Sequence, residues 1–259
     1  MSSVVDVSTD YEYHAPRLHQ LEAWTSTVSP TNEQESVVGV DGCSAGWVCF
    51  QVDLQSKSTC VIVLPKISEL ISASPRPKLV AIDIPIGLPL KGSRACDMGA
   101  RRLLGKPRSS SVFPAPVRAT LPARTYREAC ALSVLTHGKS LSKQAFEIID
   151  KIREVDDLMT PELQRWVFEV HPEVSFYALN GRRPLTHSKH DMKGKEERIE
   201  LLMPHYPQIQ KHLAELDPTK VEEDDLLDAA AAAWTAQCVA EGAVPRQYDC
   251  KGLRMEIVH

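Results

Sequence analysis

Long apolar runs are missing from this chain of 259 residues. No stretch approaches the roughly 18 consecutive apolar residues that a membrane-spanning helix needs. The first 35 residues contain several acids and no apolar core, which argues against a secretory signal and against an acid-poor transit peptide. The sequence therefore predicts an intracellular protein, in the cytoplasm or the nucleus, that does not associate with a membrane.

Cysteine pairs with the spacing of a metal site are also missing. The seven cysteines are scattered, with no C-x-x-C pair and no matching histidine spacing. This pattern indicates reduced thiols and excludes a disulfide framework or a cysteine-based zinc site. The net charge is only −4, so extreme charge is absent as well. The hydrophobic fraction is 43%, which is enough for a folded core. These values exclude a disordered chain and a wholly basic nucleic-acid binder.

The apolar runs that are present predict an α/β domain. Residues 1–35 are rich in polar side chains and are expected to form a flexible N-terminal arm, followed by a single domain over 36–259. The strands expected in antiparallel hairpins are 36–41, 47–54 and 59–64. A short helix at 67–73 then leads to a strand that ends at Asp83, and a strand reached through a helix is usually parallel to its neighbour in the sheet.

The pattern becomes mostly helical after Pro89, which predicts a helical insertion at about 90–160. The helices expected after this point are 93–104, 124–136, 141–158, 195–203, 207–215 and 222–241. One further short strand is expected at 165–171. These elements predict a mixed sheet, with three antiparallel hairpin strands plus parallel strands, flanked by helices.

Two of the apolar strands end on an aspartate, Asp41 and Asp83. An ionised carboxylate near a core is costly unless a positive charge meets it. If the two strands are neighbours, both carboxylates project at one edge of the sheet, where a divalent cation would neutralise them. The alternatives are local, because Asp41 precedes a glycine turn and Asp83 could cap the turn at Pro85.

The last helix supplies further carboxylates. Asp225 and Asp228 are three residues apart and share a helix face. Acids in the first turn of a helix are stabilised by its dipole, which alone could explain Asp224 and Asp225. Asp228 follows two leucines and precedes a run of five alanines, so it is expected on a closely packed helix, where a functional role is favoured.

A second group of candidates is Glu169, His171 and Glu173. Strand alternation would place Glu169 and His171 on one face, with Glu173 just beyond Pro172. Either glutamate could be a further metal ligand, and His171 could hold it in place or transfer protons. The alternative for His171 is a structural side chain with satisfied hydrogen bonds.

The segment 91–127 contains nine basic residues and one acid, Asp97. Such asymmetry predicts an anionic partner, and Arg94, Arg101 and Arg108, spaced by seven residues, are candidate phosphate ligands. Ser110 and Ser111 could hydrogen-bond the same phosphate oxygens. The alternative is a solvated basic face that pairs with the acidic remainder of the chain.

Six separated phrases also occur in a defined order: GVDGCSAGWV (39–48), AIDIPIGLP (81–89), RACD followed by AR (94–97 and 100–101), SSVFP (110–114), EVHPE (169–173) and DDLLDA (224–229). Together they resemble domain-of-unknown-function family 429, a family of predicted RNase H-like nucleases. The resemblance covers nearly all of residues 37–258.

The resemblance implies an RNase H-like sheet with Asp41 on its first strand and Asp83 on its fourth. It also implies that Asp41, Asp83 and Asp228, with Asp225 as a helper, hold two Mg²⁺ or Mn²⁺ ions. The glutamate that the superfamily takes from its first helix has only Glu69 as a counterpart here, so Glu169 and Glu173 are the alternatives for that ligand.

The expected function is therefore metal-dependent cleavage of nucleic acid, with DNA and RNA both open as substrates. One alternative is an ATP-dependent phosphotransferase of the related actin-like fold, in which an Asp-Gly hairpin binds phosphates. Against it, the chain has no later Gly-Gly loop and few glycines after Gly194. The other alternative is a catalytically inactive module that binds nucleic acid.

Overall fold

The computed structural model describes residues 33–239, 253 and 255–258. Its strands are β1 (Glu33–Cys43), β2 (Gly46–Asp53), β3 (Thr59–Leu64), β4 (Arg76–Ile82) and β5 (Val167–Glu169). Its α-helices are α1 (Ile67–Ile71), α2 (Ala95–Leu104), α3 (Tyr126–His137), α4 (Lys143–Glu147), α5 (Ile149–Leu158), α6 (Pro172–Leu179), α7 (Met192–Leu202), α8 (Ile209–Ala214) and α9 (Glu223–Val239). No helix in this part of the chain is long and apolar enough to cross a bilayer.

The strands form one sheet in the order β3-β2-β1-β4-β5. The hairpins β1/β2 and β2/β3 are antiparallel, whereas β4 is parallel to both β1 and β5. This arrangement confirms the predicted α/β class with a mixed sheet, and it is consistent with an RNase H-like fold. The insertion is mostly helical, as predicted, and contains α2, α3, α4 and α5.

Element boundaries differ from the predictions at several points. Strand β1 begins at Glu33, so the last three residues of the predicted arm are part of the sheet, and residues 1–32 lie outside the described residues. The helix predicted over 141–158 is interrupted at Ile148, between α4 and α5. The strand predicted over 165–171 is only three residues long.

Helix α6 is not among the predicted helices, and it begins at Pro172. Proline is in fact favoured in the first turn of a helix, where its missing N–H would have no partner in any case. His171 completes this start, since its Nδ1 accepts a hydrogen bond from the backbone N–H of Glu173 at 3.3 Å. The chain therefore enters a helix directly after β5.

Both faces of the sheet are buried at the central strands β1 and β4, where side chains alternate between the two faces. In β1, Val37 packs toward α6–α9, whereas Val38 and Val40 pack toward α1 and α3–α5. In β4, Ala81 belongs to the α9 face and Ile82 to the opposite face. This alternation determines which residues at the ends of the strands can meet α9.

The backbone of helix α9 packs so closely on β1 that there is no room for a side chain at Gly39. A Cβ atom added to Gly39 would lie 2.0 Å from the carbonyl oxygen of Ala229 and 2.1 Å from the backbone nitrogen of Ala233. The alanines of α9 and Gly39 together remove the side chains that would otherwise separate helix from sheet. Asp228, next to Ala229, is thereby brought to the end of β1.

We expect Gly39→Ala to lower the free energy of unfolding by about 3 kcal/mol, because α9 has to move away from the sheet to accommodate the methyl group. Urea unfolding measures this loss. Gly99→Ala is the matched control, since Gly99 lies within α2 and a Cβ there meets nothing within 4 Å. That control should raise stability by about 0.5–1 kcal/mol. Equal effects of the two substitutions would contradict the close packing of α9.

Candidate metal centre

Strand register places Asp41 and Asp83 side by side. Val40 pairs with Ile82 in the parallel β1/β4 ladder, and the backbone N–H of Asp83 donates to the carbonyl of Val40 at 2.9 Å. By alternation, both carboxylates lie on the α9 face, like Val37 and Ala81 before them.

Asp228 completes this group from α9. One carboxylate oxygen of each of Asp41, Asp83 and Asp228 lies within 4.8 Å of the other two. Asp228 is 4% exposed, and the other two side chains are half-buried. Three residues predicted as metal ligands are therefore brought together, although Asp41 and Asp228 are 187 positions apart in the sequence. We call Asp41, Asp83 and Asp228 the carboxylate triad.

The three carboxylates have different partners. Oδ1 of Asp41 accepts from the backbone N–H of Gly42 at 2.6 Å, so the turn interaction considered as an alternative is present alongside the triad contact. Oδ2 of Asp228 accepts from the Lys189 ammonium at 2.8 Å. The carboxylate of Asp83 accepts no hydrogen bond from the described part of the chain, and no cation of that part pairs with it.

Burial and mutual repulsion make the triad electrostatically unfavourable on its own. Burial, followed by the charges of Asp83 and Asp228, raises the pKa of Asp41 well above its ordinary value. Burial and the charge of Asp228 likewise raise the pKa of Asp83. Three hard oxygen donors held this close fit Mg²⁺ or Mn²⁺, which prefer carboxylate ligands, and a cation would remove the repulsion.

Asp225 lies beside the triad in the same cavity but is not part of it. Its Oδ2 accepts from the backbone N–H of Glu222 at 3.0 Å, at the start of α9. Burial is the main cause that raises the pKa of Asp225 to about 6. Asp225 therefore has a local role at the start of α9, and it also lines the cavity.

Glu169 does not join the triad, which corrects its prediction as a ligand. It pairs in register with Ile82, so it projects from the face opposite to that of Asp83. There it accepts from Arg94 at 2.6 and 2.7 Å and from the backbone N–H of Ile86 at 2.7 Å. The sequence gives no register for β5, and an error of one residue reverses the face.

Arg94 also has a structural role, and its prediction as a phosphate ligand is corrected. The side chain is 2% exposed. Its guanidinium donates to Glu169, to Asp97 (3.0 Å from Nε to Oδ1) and to the backbone carbonyl of Ile86 (3.2 Å). All donors are directed at protein acceptors, which leaves none for a substrate.

The other predicted phosphate ligands divide into two groups. Arg101 donates to the backbone carbonyl of Val112 and does not line the cavity, so its role as a phosphate ligand stays a prediction. Arg108, Ser110 and Ser111 do line the cavity. The Nε of Arg108 is buried and has no hydrogen-bond partner in the described part of the chain.

His171 and Glu173 line the cavity without entering the triad. Burial is the main cause that lowers the pKa of His171 to about 4, which favours the uncharged ring at neutral pH. It holds Glu173 through the N–H of that residue, as one of the sequence alternatives expected. Glu173 pairs with Arg198, and its Oε2 has no partner among the described residues.

A family model described as a protein of unknown function (DUF429) matches residues 39–250. The chain belongs to the DUF429 family. This membership confirms the resemblance found in the six sequence phrases, all of which lie within the match. No curated protein and no solved structure matches the chain.

In this DUF429 chain, sequence reasoning missed two lysines that line the cavity, Lys151 and Lys189. Lys189 lies in the loop before α7, and its ammonium is 2.8 Å from Oδ2 of Asp228 and 3.2 Å from Oδ2 of Asp224. A single lysine in a polar loop has no periodicity that would single it out. The only signal available was the basic cluster His187–His190, which was not used.

The cavity around the triad has a volume of about 600 Å³. The insertion forms much of its wall, through the loop 107–116 on one side and Gln144, Ile148 and Lys151 on the other. Lys151 donates to the carbonyls of Cys43 (3.2 Å) and Gly46, and so supports the turn that follows Asp41. A volume of this size accommodates a nucleotide-sized group.

Proposed function

We propose that this protein is a metal-dependent phosphodiester hydrolase that acts on nucleic acid. Asp41, Asp83 and Asp228 are the proposed ligands of Mg²⁺ or Mn²⁺. The observation that carries the proposal is the convergence of three carboxylates, from two strands and a helix, within 4.8 Å. DNA and RNA remain equally compatible with the cavity.

The proposal is supported by the free energy that it costs to bury three carboxylates close together. Burying like charges together raises the free energy of the folded protein unless a positive charge compensates for it. Asp83 in particular receives neither a hydrogen bond nor a salt bridge from the described residues. A group of this kind in a cavity is typical of a functional site.

The residues of the chain divide the proposed work between them. When bound, a divalent ion would make a water molecule more acidic and stabilise the negative charge that develops on the scissile phosphate. Arg108 and Ser111 face the same cavity and can hold phosphate oxygens by charge-assisted hydrogen bonds. Asp225, ionised above a pKa of about 6, is placed to accept a proton at neutral pH.

Incubation of the purified chain with single- and double-stranded DNA and RNA tests this function. We expect cleavage of at least one of these substrates with Mg²⁺ or Mn²⁺ and none when EDTA is in excess. Retention of nucleic acid without cleavage, under conditions where Mn²⁺ is bound, would instead indicate the binding module. ATP-dependent phosphate transfer without nucleic-acid cleavage would indicate the actin-like alternative.

A further inference from the structure

The position of Lys189 carries an inference that rests on the proposed metal centre. Its ammonium lies between two carboxylates of α9, 2.8 Å from Asp228 and 3.2 Å from Asp224. Asp228 is also a member of the triad. A permanent positive charge from the protein itself is therefore in contact with one of the three proposed ligands.

The loop that carries Lys189 is held in place by interactions on both sides. The carboxylate of Glu197 accepts from the backbone N–H groups of Thr186 at 3.0 Å and His187 at 3.1 Å. On the other side, Gly194 approaches so closely that an added Cβ would lie 1.8 Å from the carbonyl oxygen of Ser188. These contacts fix the backbone at residues 186–188, directly before Lys189. Directly after it, the backbone N–H of Asp191 donates to the carbonyl oxygen of Ser188 at 3.0 Å, so the placement of Lys189 on Asp228 is part of the fold.

We propose that Lys189 occupies the place of a second cation, so that the triad takes one divalent ion where the family resemblance implied two. In this arrangement Asp41, Asp83 and Asp228 hold the ion. The ammonium of Lys189 stays on Oδ2 of Asp228 and is the fixed positive charge beside it.

Two physical effects support this inference. Two ions held by three carboxylates must share ligands, and the ammonium already fills a ligand position on Oδ2 of Asp228. The ammonium would also repel a second ion bound nearby, because charges a few ångströms apart interact strongly where water is partly excluded. Asp224, a neighbouring acid on the same helix, is paired with the same ammonium.

Counting Mn²⁺ ions bound to the full chain by equilibrium dialysis and calorimetry tests the inference without relying on activity. We expect one ion per chain in the wild type and two in Lys189→Met. Lys195→Met is the matched control, because Lys195 pairs with Glu223 on the same helix and its side chain is equally exposed, at 35% against 34% for Lys189. The control should bind one ion.

Two further variants guard against misfolding and identify the charge as the cause. Lys189→Gln keeps a hydrogen-bond donor for Asp228 but removes the charge, so it should also bind two ions and replaces the methionine variant if that variant does not fold. Lys189→Arg keeps the charge and should bind one. The inference would be overturned if the wild type bound two Mn²⁺ ions. It would also be overturned if Lys189→Met and Lys189→Gln each bound only one ion, whatever their affinity for it.

The outcomes separate this inference from the proposed function. The metal centre stands if the wild type binds one ion and Asp83→Asn binds none. If, in addition, the uncharged Lys189 variants bind no second ion, the role proposed for Lys189 fails. If no variant binds Mn²⁺, both fail.

Discussion

Asp83→Asn should abolish metal-dependent cleavage and, at the same time, make the metal-free protein more stable at neutral pH. Loss of one carboxylate ligand is expected to reduce the rate by at least about 10²–10³-fold, the effect of removing one group that stabilises transition-state charge. The gain in stability follows from the same carboxylate, because its burial and the nearby charge of Asp228 penalise the ionised form in the folded state.

Because only the ionised form of Asp83 destabilises the folded protein, the gain in stability depends on pH. The pKa of Asp83 is raised in the folded protein, so ionisation costs stability as the pH rises above the unfolded pKa of about 4. Asparagine removes this cost. The difference in melting temperature between Asp83→Asn and wild type, measured in EDTA, should therefore be small near pH 4 and increase toward pH 7.

Asp53→Asn is the matched control for this prediction. Asp53 lies at the end of β2 and accepts from the backbone N–H groups of Gln55 at 3.0 Å and Ser56 at 2.7 Å, which lower its pKa. Its replacement should lower stability above the folded pKa and leave cleavage unchanged. A destabilised Asp83→Asn variant, or one that cleaves at the wild-type rate, would contradict the proposed ligand role.

Arg94→Met should cause the largest loss of stability among the substitutions considered. The guanidinium neutralises Glu169 and Asp97, both of them buried, and its removal leaves two carboxylates without their cation. Breaking a buried ion pair in this way costs about 3–5 kcal/mol. Urea unfolding at pH 7.5 measures the loss, which should shrink at pH 5, where Glu169 can be protonated.

Lys195→Met serves again as the control, because it breaks an ion pair with Glu223 that is largely exposed. Exposed pairs contribute about 0–1 kcal/mol, so its effect should be small. A loss for Arg94→Met within 1 kcal/mol of that control would show that the buried guanidinium does not hold the β5 region in the way its contacts indicate.

The two strand-end aspartates were predictable because each follows an apolar run. Such a run, buried on both faces, indicates a central strand, and a short helix before the second strand indicates that it is parallel to its neighbour. These two inferences made the pairing of Asp41 with Asp83 an expectation, which depended on the two strands being neighbours, and the register of β1 and β4 confirms that they are. The alanine run beside Asp228 indicated a closely packed helix in the same way, and Gly39 supplies the matching surface on β1.

Glu169 and Arg94 show where this reasoning stops. Glu169 was assigned to the site from strand alternation and Arg94 from its spacing in a basic segment. Both line the cavity, but they bind each other rather than a metal or a phosphate. The face of Glu169 depends on the register of a three-residue strand against β4, a contact between positions more than 80 residues apart. No local pattern specifies such a pairing.

By itself, the sequence determined most of the strands and helices, though not α6, and it determined which carboxylates stand at the ends of the two central strands. These properties depend on side-chain hydrophobicity and on short-range periodicity, both of which can be read along the chain. Only the tertiary structure decided which charges meet: Arg94 with Glu169, and Lys189 with Asp228. Electrostatic pairing depends on distances of a few ångströms between segments remote in sequence, and the packing of the whole fold sets those distances.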